Sequence, residues 1–273
     1  MAVLNIFGDE SGTMPVNDVD KPFVATTLTF LDKMPVPVRG SNDDEKLVSI
    51  FKDQAVIPFV AIVNPFHGYG KALKDKHDKM QVMARATRLV TGANWQYLDP
   101  TGVNLRNLVW SHAMLQAVVH AVRSTMFITA IESLRIVLDE KTMTHPMRRL
   151  FTQTLRRMGA SVTELLRSYA HLGPAKMSLY ESRIQFRADT TVIHWSDDGE
   201  EIRSEFGLKL ADRFARKTYQ QLENSGKAGI EQKLKDAGFE DFVLDITGLV
   251  TRLDQRLVDN FKRNTGLPEP RVL

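Results

Sequence analysis

The chain has no cysteine. Disulfides, thiolate metal centres and a cysteine nucleophile are therefore excluded, and carboxylates, histidines and hydroxyls are left to carry any chemistry. It also lacks an apolar run long enough to span a membrane. The acidic pair Asp9-Glu10 arrives before a signal-peptide core could finish, so the expectation is a cytoplasmic protein without a membrane partner. A strong charge of one sign is missing as well. The 36 Lys and Arg nearly balance 33 Asp and Glu, for a net charge of +3. Charge alone therefore names no nucleic-acid partner. No repeat and no low-complexity tract interrupts the chain. What is present is an ordinary globular composition over 273 residues, 43% hydrophobic and 25% charged. That length suits one large domain or a domain with appendages.

Apolar periodicity places the elements. Strands are expected at 3–8, 23–31, 57–63 and 134–138, each an apolar or β-branched run bounded by turn residues. Two further strand-like runs cover 184–188 and 191–195. Helices are expected from the acidic start at 41–45 to about Gln54, over 71–91 and over 104–123. In the last of these, Leu105, Leu108, Val109, His112, Leu115, Val119 and Val122 recur at three-and-four spacing. Further helical stretches cover 146–158, 161–170 and 205–222. Residues 226 onward read as two short helices and a Pro-rich tail. The resulting class is α/β, a mixed sheet flanked by helices, with a core domain at 1–223 and a helical C-terminal extension at 224–273.

Two strands end alike, in Phe7-Gly8-Asp9-Glu10 and in Val137-Leu138-Asp139-Glu140. In isolation, Asp9-Glu10-Ser11-Gly12 reads equally well as a turn. If the two strands are neighbours and parallel, their acidic ends share one edge of the sheet, where α/β proteins bind ligands. Like charges at such proximity are unfavourable, and a divalent cation removes the cost. A third carboxylate, Asp212, shares a helical face with Leu208, Ala211 and Ala215 and is expected to face inward. It is either a third metal ligand or the partner of Arg216 at i+4. Oxygen-only ligands on three elements suit Mg²⁺ or Mn²⁺ and two-metal phosphodiester chemistry.

On these residues the chain resembles a prokaryotic family of unknown function whose members open with a strand ending in Asp-Glu-Ser-Gly. That family is placed in the ribonuclease H-like superfamily. The matching residues are Asp9-Glu10-Ser11-Gly12, Asp139-Glu140 and Leu208-Lys209-Leu210-Ala211-Asp212, within residues 1 to about 222. The resemblance implies a ribonuclease H-like sheet and a metal-dependent nuclease acting on RNA or DNA. Asp9, Asp139 and Asp212 would be its ligands, assisted by Glu10 and Glu140. One departure stands out: the helix 104–123, where such nucleases usually carry another carboxylate, has no Asp or Glu. Glu10, Glu132 or Glu140 are the substitutes available.

Basic residues near these motifs are the expected phosphate contacts. They are Lys71 and Lys74, within a stretch that continues through Lys76, and Arg148, Arg149 and Arg156 after the second acidic strand end. Ser11, His67 in a turn-rich loop, and His145 are the further substrate contacts. His112, on an apolar stripe, reads as a core histidine.

Two alternatives remain open. One is a ribonuclease H-like scaffold that binds nucleic acid or protein without cutting. Its support is the acid-free helix and an amphipathic C-terminal surface of Ile246, Leu249, Val250, Leu253, Leu257 and Val258. That surface would serve a partner or a second copy, or pack on the parent domain, which is the expected case. The other is a haloacid-dehalogenase-like phosphatase with Asp9 as nucleophile.

Overall fold

Six strands form one mixed sheet in the order β5-β4-β1-β2-β3-β6. In this computed structural model the described residues are 2–13, 21–33, 35–36, 46–92, 105–126, 131–139, 191–196, 206–240 and 242–271. Strands β1 (Ala2–Gly12), β2 (Phe23–Leu31) and β3 (Ile57–Val63) make an antiparallel meander. On the other side of β1, β4 (Ile131–Asp139) runs parallel to it, and β5 (Thr191–Ser196) runs parallel to β4. The far edge is β6 (Val243–Asp245), parallel to β3.

Helices cover both faces, which is why β2 and β3 read as near-continuous apolar and β-branched runs. Every residue of β2 from Phe23 to Phe30 is buried. One face packs Leu4, Ile6, Phe59 and Ala61 against α2 (Tyr69–Thr91) and α3 (Leu105–Met126). The opposite face packs Phe7, Val24, Val60 and Val137 against α1 (Leu47–Asp53) and α4 (Phe206–Asp236). The C-terminal helices are α5 (Thr247–Thr251) and α6 (Gln255–Thr265). They fold back on the domain: Ile246 and Val250 join the α3-side core, and Val258 and Phe261 close a smaller cluster with Met83.

Several boundaries differ from the sequence pattern. Strand β1 does not stop at Gly8 but runs through Asp-Glu-Ser-Gly, pairing Asp9 with Thr26 and Gly12 with Phe23. The antiparallel partner satisfies the backbone groups that a turn would have used, so the turn reading fails. Helix α4 continues past Leu222 to Asp236, with a non-helical Gly226 (φ 66°) inside it. Strand β6 is three residues long, too short for periodicity to announce. The helices expected at 146–158 and 161–170 and the strand at 184–188 lie outside the described residues.

Candidate functional site

Strand alternation sends consecutive residues of β1 to opposite faces. Leu4 and Ile6 belong to the α3-side core, and Phe7 to the α4-side core. Asp9 follows Phe7 and faces the α4 layer, with Ser11 two residues on. Glu10 follows the other set and faces α3. Both acids are buried, at 2% and 8% exposure. The Glu10 backbone N–H donates to Asp9 Oδ1 at 2.7 Å, and Thr26 Oγ1 donates to the Asp9 carbonyl at 3.2 Å. Across the sheet, Trp110 Nε1 of α3 donates to Glu10 Oε2 at 3.0 Å. The adjacent acids that the sequence groups together are thus divided by the sheet, and Glu10 does not assist Asp9 directly.

The two acidic strand ends are neighbours, as a parallel pair requires. Gly8 pairs with Leu138, so the next residues of the two strands, Asp9 and Asp139, occupy adjacent register positions. Strand β4 ends at Asp139, in register with Ser196 of β5. Strand β1 continues three residues further, to Gly12. The side chain of Asp139, and all of Glu140, His145, Arg148, Arg149 and Arg156, lie outside what is described.

Helix α4 is seated on β1 through two glycines. A Cβ on Gly207 would stand 2.7 Å from the Phe7 ring, and one on Gly12 (φ +100°) would stand 2.6 Å from the Tyr219 ring. Only glycine permits these approaches, and the left-handed φ of Gly12 independently favours it. The two contacts fix α4 alongside β1 in the same direction. Twelve helical residues span about 18 Å, and five strand residues span about 16.5 Å, so the spacings agree. Asp212 lies about 7.5 Å along the helix from Gly207, and Asp9 about 6.6 Å along the strand from Phe7. The helix therefore brings Asp212 level with Asp9.

Asp212 is less buried than its sequence neighbours suggest. The buried stripe of α4 runs through Leu208, Ala211, Phe214, Ala215 and Thr218, and Asp212 stands on its flank. Its carboxylate accepts a hydrogen bond from Arg216 Nη2 at 2.7 Å, with side-chain exposures of 41% for Asp212 and 61% for Arg216. Among the described residues, no group of three or more His, Asp or Glu side chains stands ready to hold a metal ion. The donor set itself fits a hard divalent cation. Asp9 supplies a buried carboxylate oriented by a backbone N–H, an oxygen donor of the kind a hard divalent cation takes.

The first basic stretch divides. His67, Lys71 and Lys74 are exposed, in the loop after β3 and on the first turns of α2. Lys76 is not a phosphate contact. It is 5% exposed and donates from Nζ to the Leu249 carbonyl at 2.7 Å, tying α2 to α5. Burial lowers its pKa to about 8 against the opposing pull of Asp254. The spacing with Leu73 and Met80, both buried on α2, was the signal for an inward lysine. His112 is partly buried, and its Nε2 is sealed from solvent without a hydrogen-bond partner among the described residues. Burial first, and the Lys76 charge second, depress it to about 3. Burial also pushes the Tyr69 hydroxyl upward. Trp110 carried no sequence signal as a partner of Glu10, because a hundred residues separate them.

No family model, curated protein or solved structure matches this chain. Among the described residues no helix is long and apolar enough to cross a membrane.

Proposed function

We propose that this chain is a ribonuclease H-like, metal-dependent phosphodiester hydrolase acting on RNA or DNA. The observation that carries the reading is the adjacency of Asp9 and Asp139 on a parallel strand pair, with α4 setting Asp212 level with Asp9. The mixed sheet with helices on both faces agrees with what the resemblance implies. Asp9, Asp139 and Asp212, with Glu140, would hold Mg²⁺ or Mn²⁺. Such an ion, when bound, supplies an activated water and stabilises the leaving oxygen.

The chain's own part is orientation and shielding. The Glu10 N–H fixes the Asp9 carboxylate, and the Phe7–Gly207 contact holds α4 against the strand. Arg216 neutralises Asp212 until a cation or phosphate competes for it. Exposed Lys71, Lys74 and His67 stand beyond the carboxyl end of β3, which runs in the same direction as β1, and are assigned to the substrate backbone.

The test is cleavage of labelled RNA and DNA in Mn²⁺ by the parent chain and by Asp9→Asn, with Mn²⁺ binding followed by calorimetry. The parent is expected to cut and to bind the ion, and the variant to lose both. Cleavage that survives in Asp9→Asn would assign the chemistry elsewhere.

The non-cutting scaffold is favoured by one specific feature, the Asp212–Arg216 ion pair, together with an acid-free α3. It predicts nucleic-acid binding by the parent without Mn²⁺ uptake. The phosphatase alternative draws less from the fold, since β2 returns antiparallel directly after the Asp9 motif.

A further inference from the structure

The loop after β3 presents an aromatic ring among the exposed basic residues. Phe66 is 48% exposed, whereas Tyr69, three residues on, is fully buried. The two rings meet at 5.6 Å between centroids and 84° between planes. A perpendicular contact of this kind leaves at least one face of the Phe66 ring outside it. The loop is held in place. Asn64 N–H donates to Thr247 Oγ1 at 2.8 Å, and that hydroxyl donates to Asp245 Oδ1 at 2.6 Å. Tyr69 N–H donates to the Phe66 carbonyl at 2.9 Å, closing the turn into α2. Phe66 is therefore an exposed ring on a pinned loop, flanked by exposed His67, Lys71 and Lys74.

Its place in the sheet connects it to the carboxylates. Val63 pairs with Phe23, which pairs with Gly12, so β1 and β3 finish together at one edge. Asp9 lies on β1, three residues back from that edge. Two strand spacings separate β1 from β3, about 10 Å in all. We infer that Phe66 is a base-stacking platform and that the substrate class is single-stranded nucleic acid, its backbone following Lys71 and Lys74. The physical reason is that an unpaired base offers a π-face to an aromatic ring, and a base inside a duplex does not. This inference takes its direction from the hydrolase reading but is testable without it.

The experiment is fluorescence anisotropy in EDTA, where no metal-dependent turnover occurs. The probes are fluorescein-labelled oligo-dT and oligo-U of twenty nucleotides and a hairpin duplex of equal length. The parent is expected to bind a single strand more tightly than the duplex, and the two oligonucleotides separate DNA from RNA. Phe66→Ala should weaken single-strand binding roughly 5- to 150-fold, the range for losing one base stack. Phe66→Trp should restore it, which removes misfolding as an explanation. Lys71→Ala with Lys74→Ala should make the salt dependence shallower by about 0.7 per lost phosphate contact.

Unchanged binding by Phe66→Ala, or a duplex bound as tightly as the single strand, overturns the inference. Mn²⁺-dependent cleavage that ignores Phe66 would leave the hydrolase standing without this surface. Phe66-dependent binding without cleavage would do the reverse.

Discussion

Asp9 and Glu10 are adjacent in the chain and belong to different halves of the molecule. Glu10 enters the α3 side, where Trp110 meets its carboxylate, Lys76 is buried and His112 is partly buried. Asp9 enters the α4 side, where the facing helix offers a carboxylate that is still reached by solvent. On the α3 side, burial lowers the pKa of both Lys76 and His112. The α4 side keeps Asp212 at the surface, where Arg216 pairs with it. The same strand thus presents one buried acid to each face, and on the α4 side the flank of the facing helix adds an exposed carboxylate at Asp212. Burial on the α3 side makes proton uptake by His112 costly, and on the α4 side it is Asp212 whose carboxylate stays open to solvent.

The strongest test of that contrast is acid. A free imidazole titrates near 6.5, and burial depresses His112 to about 3. Between those values the unfolded chain binds a proton that the folded chain refuses, so stability falls as pH drops from about 6.5 to about 3. The loss attributable to His112 between pH 7 and pH 4 is on the order of 3 kcal/mol. His112→Leu removes that proton and should lose less stability over the same interval. Urea unfolding at pH 7, 5 and 4 for both proteins reads the difference, since the carboxylates common to both cancel. Parallel curves would show that the α3 side is open to protons after all.

A smaller effect is expected at the Trp110–Glu10 bond. Trp110→Phe keeps an aromatic ring, smaller than the indole, and removes the N–H from a buried carboxylate. The expected cost is about 1–3 kcal/mol in unfolding free energy. Mn²⁺ affinity should stay within twofold of the parent, because Glu10 points away from Asp9. A large loss of Mn²⁺ affinity would mean that the two faces communicate through β1 and that the division between them is less complete than the geometry implies.

Much of the framework was legible in the sequence because burial dictates pattern. The apolar runs of β2 and β3 and the three-and-four spacing of α3 survive into the structure with shifts of a few residues at their ends. The pairing of the two acidic strands was legible as a condition, and the parallel register meets it. Other features depend on contacts distant in sequence. The extension of β1 through Gly12 needs β2 as a partner, and β6 exists because Phe242 and Ile246 bond to the edge of β3. The separation of Asp9 from Glu10 was available from strand alternation, had the acidic pair been read as strand and not as its end. For Asp212, the apolar stripe of α4 was correctly read, but a residue one step from its centre turns about 100° away and reaches the surface.

That flank position sets the smallest and most discriminating prediction. Arg216→Ala removes an exposed i,i+4 ion pair, so its effect on stability should be under about 1 kcal/mol and should shrink further in salt. Its effect on the site depends on what Asp212 does. If Asp212 is a ligand, freeing it from Arg216 removes a competitor, and Mn²⁺ affinity measured by calorimetry should rise or hold. If the ion pair is the whole purpose of Asp212, neither Arg216→Ala nor Asp212→Asn should change Mn²⁺ binding. A helix that carries an aspartate to the level of Asp9 only to pair it with an arginine one turn later would place the chemistry on Asp9 and Asp139 alone. The comparison of the two faces would then rest on Asp9 against Glu10, without Asp212.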